Sequence, residues 1–171
     1  MIRVIGIDPG SRITGYGVVD TDGFRHRYVT SGFIQIKADT LAEKLGIIFA
    51  EVSRIVTDWN PESMAIEQVF VKHNVDSALK LGQARGAAIC AAVQADLPVG
   101  EYTPRAIKKA VVGSGAADKQ QVQQMIQRLL GLDELPQSDE ADALAIAICH
   151  AHHIKIRSSG ISSGTRRGRW V

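Results

Sequence analysis

"RVIGIDPGSRITGYGVVDTDG", Arg3 to Gly23, decides the fold. Arg3 to Asp8 is a short apolar run that stops at Pro9-Gly10, and Thr14 to Asp20 is a second run that stops at a "TDG" turn. A third run, Arg25 to Ile36, is rich in β-branched and aromatic residues. Three strand-like runs joined by short turns predict an antiparallel meander.

Downstream the pattern becomes helical. Thr40 and Glu43 form a capping box ahead of Leu41, Leu45, Ile48, Val52, Ile55, Val56 and Trp59, an apolar stripe at helical spacing. "NPES" ends that helix, and "SMAIEQV" (Ser63–Val69) reads as a buried strand able to return parallel to the first. A second long helix, Val75–Leu97, is rich in alanine, with Gly82 and Gly86 four apart. Those glycines admit two readings: close packing on the sheet, or a seam with a second copy. Pro98–Tyr102 is a fifth strand. Thr103 with Pro104, and Asp118 with the stop Gly131, delimit two further helices. A last helix holds the apolar stretch Ala141–Ile148. The order βββαβαβααα predicts an α/β fold: a mixed five-stranded sheet, its first three strands antiparallel and the later ones parallel, flanked by helices on both faces. At 171 residues the chain is read as a single domain over 1–157 with a flexible basic tail over 158–171.

Composition narrows the function. No apolar run reaches the roughly 18 residues of a membrane span. The chain enters a strand pattern at once, without a signal-peptide pattern, so an unexported, cytoplasmic protein is expected. Cys90 and Cys149 both fall in apolar helical patterns and are expected to be reduced core thiols. "CHAHH" (Cys149–His153) has no second cluster to complete a zinc site, so packed or surface histidines are expected. The net charge of +2 hides an asymmetry: without Lys155, Arg157, Arg166, Arg167 and Arg169 the remainder carries 15 basic and 18 acidic residues, a net of −3. Such a tail can hold a polyanion by counterion release or simply solubilise the chain.

The chemistry lies in the acids. Asp8 directly follows the first buried strand, and Glu67 follows Met64, Ala65 and Ile66 in the same way. If the two strands pair in parallel, their backbones stand about 4.8 Å apart. The two carboxylates then meet at the carboxyl ends of the strands, where α/β sheets bind ligands. Asp139 and Asp142, three apart, share one face of the last helix; Glu140 points elsewhere. Each acid also has a plainer reading: Asp8 as a turn residue, Glu67 as a strand-end charge, and the helix acids as caps that complement the macrodipole. Together the four would suit Mg²⁺ or Mn²⁺ better than zinc. Two such ions about 3.5–4 Å apart would support phosphodiester hydrolysis.

"GIDPGSRITGYGVV", "AIEQVF", "SALKLGQARG", "VVG" and "SDEADALAIA" together resemble the bacterial Holliday-junction resolvases of the RuvC family, from about Val4 to Ile148. The resemblance implies an RNase H-like fold and a homodimer. It also implies a structure-selective endodeoxyribonuclease that resolves four-way DNA junctions by paired, symmetric, Mg²⁺-dependent cuts leaving 5′-phosphates, in recombination and repair. By resemblance, Asp8, Glu67, Asp139 and Asp142 are the catalytic metal ligands for two ions, with Mn²⁺ as substitute. Phe70 matches a loop aromatic near the junction; filling a crevice beside the strand is the other reading. Lys108 and Lys119 match basic residues near the scissile DNA, against plain solvated helix charge. A branch-migration motor (RuvA–RuvB) is the implied partner, and nucleoid DNA the implied location. The tail beyond Ile154 lies outside the resemblance. One alternative is another RNase H-like nuclease, such as a YqgF-type ribosomal-RNA processing enzyme. Sugar-kinase and chaperone ATPases share the "GID-G" opening but need two such folds, and a non-cleaving junction binder would not need four acids.

Overall fold

The computed structural model describes residues 1–69 and 75–158, with side chains described through residue 154. Its strands are β1 (Ile2–Asp8), β2 (Ile13–Thr21), β3 (His26–Gln35), β4 (Ser63–Glu67) and β5 (Val99–Tyr102). Its helices are α1 (Leu41–Trp59), α2 (Val75–Gln94), α3 (Pro104–Val112), α4 (Lys119–Leu130) and α5 (Ser138–Ser158). The sheet order is β3-β2-β1-β4-β5, with β1–β2 and β2–β3 antiparallel and β1–β4 and β4–β5 parallel. The expected element order and mixed sheet are therefore present.

The alternation of side chains along β1 builds two cores. Ile5 and Ile7, with Val18, Met64 and Ile66, pack against Ile48, Val52 and Ile55 of α1 and the alanines of α2. Val4 and Ala65 face the other way, onto α5 and onto Ile107, Val122 and Ile126 of α3 and α4. Helix α5 thus lies between the sheet and an outer layer of helices. Ala141 and every residue from Ala143 to Cys149 are fully buried, which explains why α5 is apolar on nearly all sides rather than amphipathic. Glycines let it approach. A Cβ on Gly6 would fall on the carbonyl oxygen of Ala143, one on Gly15 on that of Asp139, and one on Gly17 within 2.7 Å of Leu144. The α5 backbone therefore rests directly on β1 and β2.

Local signals set the helix ends. The Thr40–Glu43 capping box forms, Thr103 caps α3 with Pro104 in its first turn, and Asp118 caps α4 in a capping box with Gln121. Asn60, Gly113 and Gly131 take left-handed backbone at the helix ends, where the penalty is smallest for Gly and tolerable for Asn.

Three expectations need correction. Cys90 is exposed on α2, whereas Cys149 is buried as expected, and its thiol is pushed up to about 12 by burial. Helix α2 ends at Gln94 rather than Leu97, because Asp96 turns left-handed and the Leu97 N–H folds back onto the Ala92 carbonyl. Strand β4 ends at Glu67, two residues before Val69. Among the described residues no helix is long and apolar enough to cross a membrane.

Candidate active site

The parallel register between β1 and β4 runs from Val4–Ser63 to Ile7–Ile66. One step further, Asp8 and Glu67 end their strands side by side. On the opposite side of β1, α5 begins over Gly15, the partner of Asp8 in β2. Its first five residues include Asp139 and Asp142, whose charges both reach Asp8 at this sheet edge. Asp8, Glu67, Asp139 and Asp142 are all half-buried.

Their electrostatics show the crowding. The Asp8 carboxyl is pushed up to about 8, first by burial and then by the negative charges of Asp142, Glu67 and Asp139; Lys119 only partly offsets them. Asp142 is also raised, mainly by burial and by Asp139, against the pull of Lys119 and Lys108. The Lys119 ammonium lies 3.5 Å from the Asp142 carboxylate and 3.4 Å from the Ser138 hydroxyl. Lys108 is half-buried on the face of α3 that reaches toward Asp142, while its neighbour Lys109 is exposed. Both sequence-nominated lysines thus influence the acid cluster. Phe70 lies outside the described residues, as does the expected tail from residue 159 on.

Glu140 behaves differently from its neighbours. Its carboxylate accepts from the Gln137 N–H at 3.3 Å, a cap at the start of α5. The acids at this helix start therefore separate into one that serves the helix and two that face the sheet edge.

Among the described residues no three Asp, Glu, His or Cys side chains are already gathered into a metal cage. The donor chemistry nonetheless fits hard cations. Four half-buried carboxylates that repel one another would be drawn in by a divalent cation, which stabilises their charged forms. The histidines have other work. The Tyr102 hydroxyl and His150 Nδ1 are 2.8 Å apart, His153 Nδ1 donates to the Cys149 carbonyl at 2.8 Å, and the His26 and His152 rings meet at 3.3 Å. A cleft of about 690 Å³ opens beside Ser11 and Arg12, near Lys44 and Lys80, and none of the four acids lines it.

The glycines that seat α5 were missed as site-forming residues, although the alternation "GYG" in a strand pattern was their signal. Arg85 was missed as well. It donates from Nε to the Glu67 carbonyl at 3.0 Å, and nothing local in the sequence signals a contact that spans two elements.

The sequence and the fold have counterparts among known proteins. The family described as Crossover junction endodeoxyribonuclease RuvC matches residues 4–150. The chain is 57% identical to the crossover junction endodeoxyribonuclease RuvC of Psychromonas ingrahamii, over 99% of both chains. It is 56% identical to that of Photobacterium profundum, again over 99% of both. Among solved structures, T. thermophilus RuvC in complex with Holliday junction substrate superposes with a TM-score of 0.86 at 36% identity, covering 92% of this chain and 98% of that one. The yeast mitochondrial Holliday junction resolvase Ydc2, 14% identical with a TM-score of 0.62 over 93% of this chain and 86% of that one, shares the fold. With its mixed sheet, its acid-bearing strand ends and a matching family sequence from Val4 to His150, this chain belongs to the RuvC family of crossover junction endodeoxyribonucleases.

Proposed function

We propose that this chain cleaves four-way DNA junctions by hydrolysis at the sheet edge where Asp8, Glu67, Asp139 and Asp142 meet, within one nuclease domain spanning about residues 1–157. The observation that carries the reading is the crowding at Asp8: three other acids, from a second strand and a helix, raise its proton affinity. A stable fold has no use for four half-buried like charges; a cation site does. Mg²⁺, or Mn²⁺ in its place, would be held by these carboxylates in a pair of sites, where it would lower the pKa of water and offset charge on the leaving oxygen. Asp8 bridges the two groups of donors, with Glu67 on one side and the α5 aspartates on the other. Lys119 and Lys108 then stand where an ammonium can meet a non-bridging phosphate oxygen and offset charge in the transition state. Burial of β1 and α5 holds the carboxylates rigidly, so little reorganisation is needed at the moment of reaction.

We also read the chain as a homodimer paired through α2. Among the described residues nothing lies within 4 Å of a Cβ built on Gly82 or Gly86, which favours the seam over close packing on the sheet. Val75, Leu79 and Val93 are each more than 60% exposed, and at positions 75, 79, 82, 86 and 93 these residues follow a seven-residue repeat. A twofold pair would present two sites to a junction. Light scattering checks this directly: Gly82→Glu is expected to halve the mass. The basic tail and a branch-migration motor complete the proposed DNA-processing setting, with bacterial cytoplasm as the location.

The test uses Asp8→Asn on a synthetic four-way junction and on structured RNA. Junction binding is expected to persist while Mg²⁺-dependent cleavage is lost. Retained cleavage refutes the four-carboxylate site. Parent cleavage of RNA in preference to the junction would move the chain to the RNA-processing branch of the fold.

A further inference from the structure

The structure assigns Arg85 of α2 as a positioning residue for Glu67; the inference rests on the proposal that Glu67 is a metal ligand. Strand β4 ends at Glu67, where the β1 ladder has already run out after the Ile7–Ile66 pair. A carbonyl at such an end needs a donor. Arg85 supplies it, its Nε–H donating to the Glu67 oxygen at 3.0 Å. The same guanidinium forms an ion pair with Glu101 on β5, whose backbone lies opposite Ile66 in the parallel ladder. One planar group thus fixes the end of β4 relative to β5. Its geometry leaves it little freedom, because a guanidinium offers its donors in a rigid fork. The Arg85 side chain is only 19% exposed and its bond to the Glu67 carbonyl is partly buried, whereas Glu101 reaches it from the more exposed side.

The consequence is for the carboxylate of the same residue, carried on the backbone that Arg85 pins. A metal ligand must be held to a fraction of an ångström, and a shift of about 1 Å in a reacting group can cost about 100-fold in rate. Groups that orient ligands without touching the metal typically govern about 10–100-fold in affinity or activity. Arg85 also rises from the helix that carries the open glycines Gly82, one turn before it, and Gly86, next to it.

The experiment compares Arg85→Met, which keeps the aliphatic stem, with Arg85→Lys, Glu101→Gln and Glu67→Gln in the full chain. Mn²⁺ binding is followed by the electron paramagnetic resonance of the free ion, without DNA. Arg85→Met is expected to weaken Mn²⁺ binding about 10-fold, with junction affinity in metal-free buffer unchanged. Arg85→Lys, which can serve one acceptor, should fall between. If Arg85→Met does not fold, Glu101→Gln decides, with a smaller loss in the same direction. Parent-like Mn²⁺ binding in the deciding variant, even with a lowered melting temperature, overturns the assignment and leaves Arg85 as a brace for α2. If Glu67→Gln also binds Mn²⁺ like the parent, it is the ligand reading of Glu67 that falls.

Discussion

Two aspartates at opposite ends of the β1–β2 pair show what the sheet does with buried charge. Asp20, near the start of β1, accepts from Arg3 at 2.7 and 3.1 Å and from Arg27 at 2.6 Å, and these cations hold its carboxyl down to about 2. Arg3 also donates to the Trp59 carbonyl at 2.9 Å, tying the pair to the end of α1. Asp8, at the other end, meets three acids and is pushed up to about 8. The same fold therefore neutralises one aspartate completely with its own arginines and leaves the other short of positive charge. The first is a structural ion pair. The second is where we propose that a divalent cation binds.

The sharpest way to break this comparison is to neutralise each aspartate. Asp8→Asn is expected to lower junction cleavage by at least about 1,000-fold, the loss of several kcal/mol of transition-state stabilisation. Asp20→Asn should change cleavage by less than about threefold once stability is allowed for; gel assays of a labelled junction in Mg²⁺ distinguish the two. Next comes Gly15→Ala. Its methyl would fall on the Asp139 carbonyl, lifting the first turn of α5 from the sheet. Cleavage should fall about 10–100-fold, with overpacking costing about 1–3 kcal/mol in denaturant melts.

Stability without divalent ions should move in opposite directions. Asp20 is held below its unfolded value, so its stabilisation is present above about pH 4 and is lost as pH falls toward about 2. Asp20→Asn is expected to cost about 1.5–3 kcal/mol at pH 7 and little near pH 2. Asp8 is held above its unfolded value, so its proton-linked stabilisation is present below about pH 4 and is lost as pH rises through about 8. Asp8→Asn should therefore melt higher than the parent at pH 8, by at least about 4 °C, and like the parent near pH 4. Thermal melts in chelator across that range read both signs. The smallest effect belongs to Glu140→Gln: about 0.5 kcal/mol or less, with cleavage unchanged within about twofold.

Much of this was legible from local pattern. The runs ending at Asp8 and Glu67, the caps at Thr40, Thr103 and Asp118, and the stop at Gly131 are signals carried within a few residues. Parallel pairing of the two acid-tipped strands followed from their apolar character and the intervening helix. What stayed hidden depends on partners distant in sequence. Asp20 reads as a strand-end charge until Arg3 and Arg27 are folded around it. Cys90 shares the alanine-rich pattern of a buried helix, yet only Ala84, Ala88, Ala91 and Ala92 of α2 are buried. Arg85 looks like any helix arginine until α2 crosses the end of β4. The resemblance to a known family supplied the roles of Lys108 and Lys119; spacing alone left them as solvated charge.

The central claim is that the acid-rich end of the sheet is a divalent-cation site centred on Asp8. Soaking crystals of the protein in Mn²⁺ and measuring anomalous scattering tests it most directly. The account predicts peaks beside Asp8, within ligand distance of Glu67 on one side and of the α5 aspartates on the other. Mn²⁺ peaks elsewhere, with none touching Asp8, would contradict it.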